Sequence, residues 1–336
     1  RRGLSVDVPA GQRVEVQFGA ETEQAGTARV QVAARAESGV DAARVEVPVY
    51  TPATREGFAT YGTIDRGAEV LEVARPPEVW EQFGGLEVTT SSTALQALTD
   101  AFLYLYDYDY QCAEQISSRM LSVAALRDVL RAFDAEGMPS RGEVEASMNR
   151  DIEELAGRQN RDGGFGLWRR GQHAWPFVSL HGALGLIRAE KKGYEVDGAV
   201  LRNSHYYIKR IEQHIPSFYP DWTRRFLVAY ALYIRKLNGD RDAQRARRLI
   251  EESGGLDKLP FEALGWLLEV TSGDSQSAAH VKKLRRHLQN RVTEEAGTAH
   301  FAARYEESDH GYLIMQSNRR ADGIVLAALI EDQPKS

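Results

Sequence analysis

Two periods of hydrophobicity divide the chain. Over the first fifty residues apolar side chains alternate: Leu4, Val6 and Val8, then Val14, Val16 and Phe18, then Ala28, Val30 and Val32, then Val45, Val47 and Val49. A period of two marks short strands with one buried face. Pro9-Ala-Gly11 and Glu37-Ser-Gly39 supply turn residues between them, so consecutive antiparallel pairing is expected. Residues 50 to 93 are less periodic, being interrupted by Thr51-Pro52, Tyr61-Gly62 and Pro76-Pro77, and Leu86-Glu-Val-Thr89 reads as a last strand.

From about residue 94 the period becomes helical. Ser91-Ser-Thr93 offers an N-cap, after which Leu95, Leu98, Phe102 and Leu105 recur at helical spacing. A second helix carries Met120, Leu121, Ala124, Ala125, Val129 and Phe133 and stops near Gly137-Met-Pro139. Further helical stretches cover roughly 141–158, 174–191, 197–214, 222–237, 241–253, 259–271, 276–291 and 318–331. Amphipathic helices joined by short links pack as antiparallel hairpins. The inner members of such a stack are apolar on more than one side and the outer ones are half-solvated. The fold class expected is therefore multidomain: an antiparallel β segment followed by an all-α domain.

Composition changes this picture little. With 43% apolar and 27% charged residues in 336, the chain has the make-up of folded domains with room for one large or two moderate cores. A net charge of −6 and a pI near 5.8 argue against a nucleic-acid partner, and Lys282-Lys-Leu-Arg-Arg286 reads as a solvated helix face. No apolar run approaches the roughly 20 residues a membrane-spanning helix needs. Arg1-Arg2 opens the chain without a methionine or a signal peptide, which suggests a piece of something longer. One cysteine excludes an intrachain disulfide framework and leaves no cysteine cluster for structural zinc.

Candidate chemistry concentrates where the two periods meet, in Tyr104-Leu-Tyr-Asp-Tyr-Asp-Tyr-Gln-Cys-Ala-Glu-Gln-Ile-Ser-Ser-Arg119. The stretch holds the only cysteine and places Gln115 three residues after Cys112. Taken alone, a cysteine among tyrosines reads as a small buried hydrophobe. A thiol is also a good nucleophile, and a primary carboxamide can be its acyl partner. If the first turn of a helix brings the two together, loss of ammonia leaves an internal thioester between Cys112 and Gln115. Such a bond persists only where water is excluded, which gives Tyr104, Tyr106, Tyr108 and Tyr110 a rationale as a shield; their other reading is a plain aromatic core. Glu114 either assists proton movement or binds backbone near the helix start, the second being favoured.

The segment Tyr108-Asp-Tyr-Gln-Cys-Ala-Glu-Gln-Ile-Ser-Ser-Arg119 resembles the Tyr-Pro-Tyr-Gly-Cys-x-Glu-Gln-x-x-Ser-Arg thioester motif of bacterial alpha-2-macroglobulins, a family related to complement proteins. Asp109 stands where that motif has proline and Gln111 where it has glycine; neither change removes a reacting atom. A second stretch, Arg158-Gln-Asn-Arg-Asp-Gly-Gly-Phe-Gly-Leu-Trp168, is similar to the Gln-Asn-x-Asp-Gly-Gly-Phe-x-x-Trp turn that joins helices in bacterial members. Gly163 and Gly164 there permit backbone angles closed to other residues, and Phe165 and Trp168 are expected to plug the adjoining core.

The resemblance implies residues 1–93 as a partial CUB-like β domain with its linker. It implies residues 94–336 as an α/α-toroid thioester domain, truncated at its C-terminus. It further implies part of a broad-spectrum protease inhibitor rather than an enzyme, one that traps attacking proteases by a single-use acyl transfer from Gln115 to a lysine amine, with Cys112 as leaving group. The implied partners are proteases and the remaining macroglobulin domains, the implied location is the bacterial periplasm or cell envelope, and no cofactor or metal is implied. Rival readings are a thioester-bearing adhesin and a toroid enzyme of terpene cyclase or prenyltransferase type, whose turns are similar. Those enzymes need an aspartate-rich motif or a zinc site of Asp, Cys and His, and Asp107 and Asp109 match neither. In complement-type relatives a histidine redirects transfer toward hydroxyl groups. His173, His181, His205 and His214 are the candidates here, and the sequence assigns none of them, which leaves amines as the expected targets.

Overall fold

The computed structural model describes residues 3–50, 57, 60, 64, 66–75, 79, 84–88, 90, 97–130, 138–295, 298–301 and 310–334. The chain falls into two compact units, residues 1–87 and 88–336.

In the first unit, strands β1 (Gly26–Ala36) and β2 (Gly39–Val49) form an antiparallel hairpin whose register runs from Gly26 opposite Val49 to Ala36 opposite Gly39. Val30 pairs with Val45 and Ala28 with Val47, so the alternation at 28–32 and 45–49 does report strands. The half-burial expected of them is not met: Val30, Val32, Val45 and Val47 are exposed. The strands expected at 4–8 and 14–18 are absent, although Gln12 N–H does close a turn onto the Pro9 carbonyl at 3.0 Å. Residues 86–88 are likewise outside any strand, and Thr89 lies outside the described residues. A strand requires a neighbour for its backbone donors and acceptors, and among the described residues β1 and β2 pair only with each other.

The second unit is helical, and its core explains the order of its elements. Its helices are α1 (Ala97–Tyr106), α2 (Ala113–Leu130), α3 (Arg141–Gly157), α4 (Pro176–Lys191), α5 (Gly198–Lys209), the single turn α6 (Ile211–His214), α7 (Asp221–Leu237), α8 (Ala243–Glu252), α9 (Phe261–Thr271), α10 (Ala278–Gln289) and α11 (Asn318–Asp332). From α3 onward the boundaries read from periodicity fall within a few residues of these, except that the stretch 197–214 breaks at Arg210 into α5 and α6; the N-cap expected at Ser91-Ser-Thr93 and the helix end expected near Gly137 lie outside the described residues. Contacts run α2–α4, α4–α7, α7–α9 and α9–α11, so these five form an inner row; α3, α5, α8 and α10 pack outside it.

The sequence of each helix fits its layer. Every residue of α9 is buried, as suits a helix apolar on all sides. Its two acids are answered from the neighbouring inner helices: Glu262 accepts from Arg320 Nη2 at 3.3 Å and Glu269 from Lys236 Nζ at 2.9 Å. In the outer helices α8 and α10 only three residues each are buried, Ala246, Leu249 and Ile250 in one and Val281, Leu284 and Leu288 in the other. Residues 3 or 4 apart share a helix face, and that face is turned inward. A hairpin of three-residue strands, β3 (Thr293–Glu295) and β4 (Thr298–His300), and 3-10 turns at Leu256–Lys258, Ser275–Ser277 and Gly311–Ile314 complete the described elements. All are too short for a period to reveal.

Candidate functional site

Cys112 sits at the N-terminus of α2, buried, with a free thiol. Its carbonyl accepts the first helical bond, from Ile116 N–H at 3.0 Å, which makes Cys112 the N-cap and Gln115 the third residue of the helix. The Gln115 carboxamide turns back, and its Oε1 accepts from Cys112 N–H at 2.9 Å. In a capping box the third residue's side chain reaches the N-cap amide while the N-cap side chain faces the third residue. Cys112 and Gln115 make the first half of that box, with a carboxamide reaching the N-cap amide and a thiol on the N-cap residue. The backbone-binding role considered for Glu114 therefore falls to Gln115, and Glu114 instead accepts a hydrogen bond from Ser118 Oγ at 2.8 Å.

The turn at 158–168 holds this helix end in place. Arg158 Nη1 donates to the Gln111 carbonyl at 2.6 Å and to the Leu167 carbonyl at 3.2 Å, while Ala113 N–H donates to the same Leu167 carbonyl at 2.8 Å. The second sequence signature is thus a clamp on the first. Gly163 has φ +92, and a Cβ there would lie 2.0 Å from the Asn203 carbonyl oxygen, so only glycine fits. Phe165 is fully buried as expected. Trp168 is not: it is 53% exposed, because the turn carries it outward to line a groove with Arg150, Arg158, Arg169 and Arg170. Gln111 has no positive φ, so glycine is not required there, and the side chain of Asp109 is exposed.

The four tyrosines separate into two groups. Tyr108 packs between Tyr104 and Tyr110 with ring centroids 5.5 and 5.8 Å away. Its hydroxyl pKa is raised first by Tyr104 and, after burial and Tyr110, by Cys112 and Glu114, which ties it electrostatically to the thiol. Tyr106 turns away to stack on Phe102 at 5.8 Å. One turn beyond the reactive pair, Arg119 grips Asp151 of α3 with two bonds, Nε to Oδ2 at 2.8 Å and Nη2 to Oδ1 at 2.6 Å, both side chains being buried.

The structure also sorts the four histidines. His205 pairs with Asp240 at 3.0 Å, His214 stacks on Tyr207, and His173 is exposed. His181, on α4, places Nε2 3.0 Å from Ser118 Oγ and Nδ1 3.1 Å from the Tyr230 hydroxyl. Burial, with the charge of Arg320 second, lowers its pKa to about 4, so the ring is neutral near pH 7. Helical periodicity places His181 on α4 but carries no signal for what it faces. Among the described residues, no group of histidine, cysteine and acidic side chains is arranged to hold a metal, and no helix is long and apolar enough to cross a membrane.

Architecture and site define a two-layered helical domain with a buried cysteine capping one of its inner helices. No protein-family model matches the chain. Among curated proteins it is 24% identical over 341 residues to "Circularly permutated Ras protein 2" of Dictyostelium discoideum, covering 93% of this chain, and 24% identical over 163 residues to the alpha-2-macroglobulin homologue of Yersinia pestis, covering 48%. It spans 8% of the length of each. Among solved structures, native alpha-2-macroglobulin of Escherichia coli from domain MG7 to the C-terminus matches 70% of this chain at 17% identity with a TM-score of 0.55, over 36% of its own length. The methylamine-reacted Salmonella protein matches 70% at 20% identity and 0.57, and the trypsin-activated E. coli protein 67% at 18% and 0.51, each over 15% of its length. The chain is similar to bacterial alpha-2-macroglobulins and carries the fold of their C-terminal region.

Proposed function

We propose that this chain is the thioester-bearing part of an alpha-2-macroglobulin-type protease trap. The observation that carries the reading is the return of the Gln115 carboxamide onto Cys112 at the start of α2, with Gln115 Oε1 accepting from Cys112 N–H at 2.9 Å. Attack of the thiol on the carboxamide carbon expels ammonia and forms the thioester. A lysine amine of an attacking protease then adds to the Gln115 carbonyl carbon, the C–S bond breaks, and Cys112 leaves as a thiol while the protease stays tethered by an amide. The partial positive charge at the N-terminus of α2 favours negative charge developing on the sulfur. Tyr108, held between Tyr104 and Tyr110, is the ring that bears on the thiol and would keep water from the bond; Tyr104 and Tyr110 are themselves largely exposed, and Tyr106 anchors the segment on Phe102. Each molecule acts once, so the activity is inhibition and not turnover.

The fold fits this role. The inner row of α2, α4, α7, α9 and α11 with outer α3, α5, α8 and α10 supports an α/α-toroid over residues 94–336, and the hairpin of β1 and β2 supports a partial CUB-like domain within 1–93. The partners are proteases and the other macroglobulin domains of the full protein, and the site of action is extracytoplasmic. The test is the intact mass of the unreduced full-length protein before and after methylamine, with a thiol count on each. Loss of one ammonia, and a thiol that appears only after methylamine, is the expected result. Full mass with a free thiol from the start would overturn the reading.

A further inference from the structure

Behind the reactive pair, a line of hydrogen bonds runs from the middle of α7 to the first turn of α2. Its direction follows from chemistry alone. The Glu114 carboxylate only accepts, so the Ser118 hydroxyl at 2.8 Å spends its hydrogen there. Ser118 Oγ can then only accept from His181, which requires Nε2 to carry the ring hydrogen at 3.0 Å. A neutral imidazole has one N–H, so Nδ1 is bare and accepts the Tyr230 hydroxyl at 3.1 Å. Three hydrogens thus point the same way, Tyr230 to His181 to Ser118 to Glu114, and one tautomer satisfies all of them.

Resting on the function proposed above, we propose that His181 and Ser118 position the Glu114 carboxylate as the acceptor of the proton that the attacking amine loses when it opens the Cys112–Gln115 bond. Glu114 lies between the reacting residues on the first turn of α2. Among the described residues, its Oε1 takes the Ser118 hydrogen while Oε2 has no hydrogen-bond donor, which leaves one oxygen for the incoming nucleophile. The step balances. An unprotonated amine nitrogen forms a bond to the Gln115 carbonyl carbon, the C–S electron pair returns to Cys112 Sγ, and the N–H proton passes to Glu114 and on to the sulfur, leaving an amide and a thiol. His181 and Ser118 touch no reacting atom; they fix where Glu114 stands. Tyr230 fixes His181 in turn, and its acidity is suppressed by burial, which keeps its hydrogen in place. Arg320, over the Phe177 and Phe226 rings, is the charged group that bears on His181 from α11.

The test is the rate of thiol release by methylamine in the full-length protein, with intact mass establishing beforehand that each variant holds the bond. Glu114→Gln is expected to slow release by about a hundredfold, the usual scale of a lost general base. Ser118→Ala and His181→Ala are each expected to slow it by about tenfold, and the double variant no further, because groups that act as one unit are not additive. His181→Gln, which retains an N–H donor, is expected to recover most of the loss in His181→Ala; a merely structural role would not respond in this way. An unchanged rate in Glu114→Gln with the bond in place, or costs at Ser118 and His181 that multiply, would overturn the relay while leaving the thioester reading intact. Should Glu114→Gln fail to close the bond, the Ser118 and His181 cycle decides alone. A wild-type protein with full mass and a free thiol fails the underlying reading instead.

Discussion

Cys112 caps α2 through its backbone and, in the proposed reading, carries the thioester sulfur, so structural and chemical roles meet in one residue. They separate on substitution. Serine is a strong N-cap, so Cys112→Ser is expected to leave the thermal midpoint unchanged or slightly raised while abolishing the methylamine-released thiol; calorimetry beside thiol counting reads both. His181 separates by pH. Its folded pKa lies below the ordinary histidine value, so the folded state binds fewer protons than the unfolded state. Its contribution to stability is therefore present above about pH 6.5 and lost as pH falls through about 4. Urea unfolding of wild type and His181→Gln across that window is expected to show a steeper acid loss in the wild type, and parallel curves would refute the assignment.

At the scale of elements, the segment around Cys112 is held from two sides: the 158–168 turn clamps the start of α2, and the Arg119–Asp151 pair ties its second turn to α3. Removing one partner of a buried ion pair leaves an uncompensated charge, so Asp151→Ala is expected to cost about 3 to 5 kcal/mol in denaturant unfolding. Gly163→Ala places a Cβ against the Asn203 carbonyl in a backbone region hostile to alanine. It is expected to lower stability and, by loosening the clamp, to raise the rate at which thiol reagents label Cys112 in a preparation lacking the thioester. Much of this was legible in advance. The 3.6-residue period located the helices, and the Cys-x-x-Gln spacing located the reactive pair, because both depend on residues close in sequence. The clamp of Arg158 on Gln111 and the reach of His181 to Ser118 span 47 and 63 positions, and no local pattern encodes such pairings. Trp168 was misread for a related reason: hydrophobicity reports a preference for burial, and the path of the turn decides whether it is met.

Over the whole molecule, the two units differ in how they are held. The helical unit encloses α9 on every side, whereas β1 and β2 expose apolar side chains on a two-stranded hairpin that is marginal alone. Hydrogen exchange on the isolated chain is expected to be fast across Gly26–Val49 and slowest in α9. A second handle is Glu269, whose pKa is pushed up to about 7 by burial, with the Glu331 hydrogen bond second. A raised carboxyl favours folding most below about pH 4.5, and that advantage fades as pH climbs through 7. Glu269→Gln is therefore expected to gain on the wild type between pH 5 and pH 8 in denaturant unfolding, and a constant gap would contradict the assignment.

The Gln115 side chain that reaches back to Cys112 N–H has a fate written into its position. If water rather than an amine opens the proposed bond, position 115 keeps a carboxylate in place of its carboxamide. A carboxylate serves that helix end better, through a charged hydrogen bond to the amide and a favourable alignment with the helix dipole. The discharged molecule would thus settle deeper than the armed one. Like a sprung latch, it would keep a permanent record of having fired, readable years later as a single altered residue in an otherwise unchanged fold.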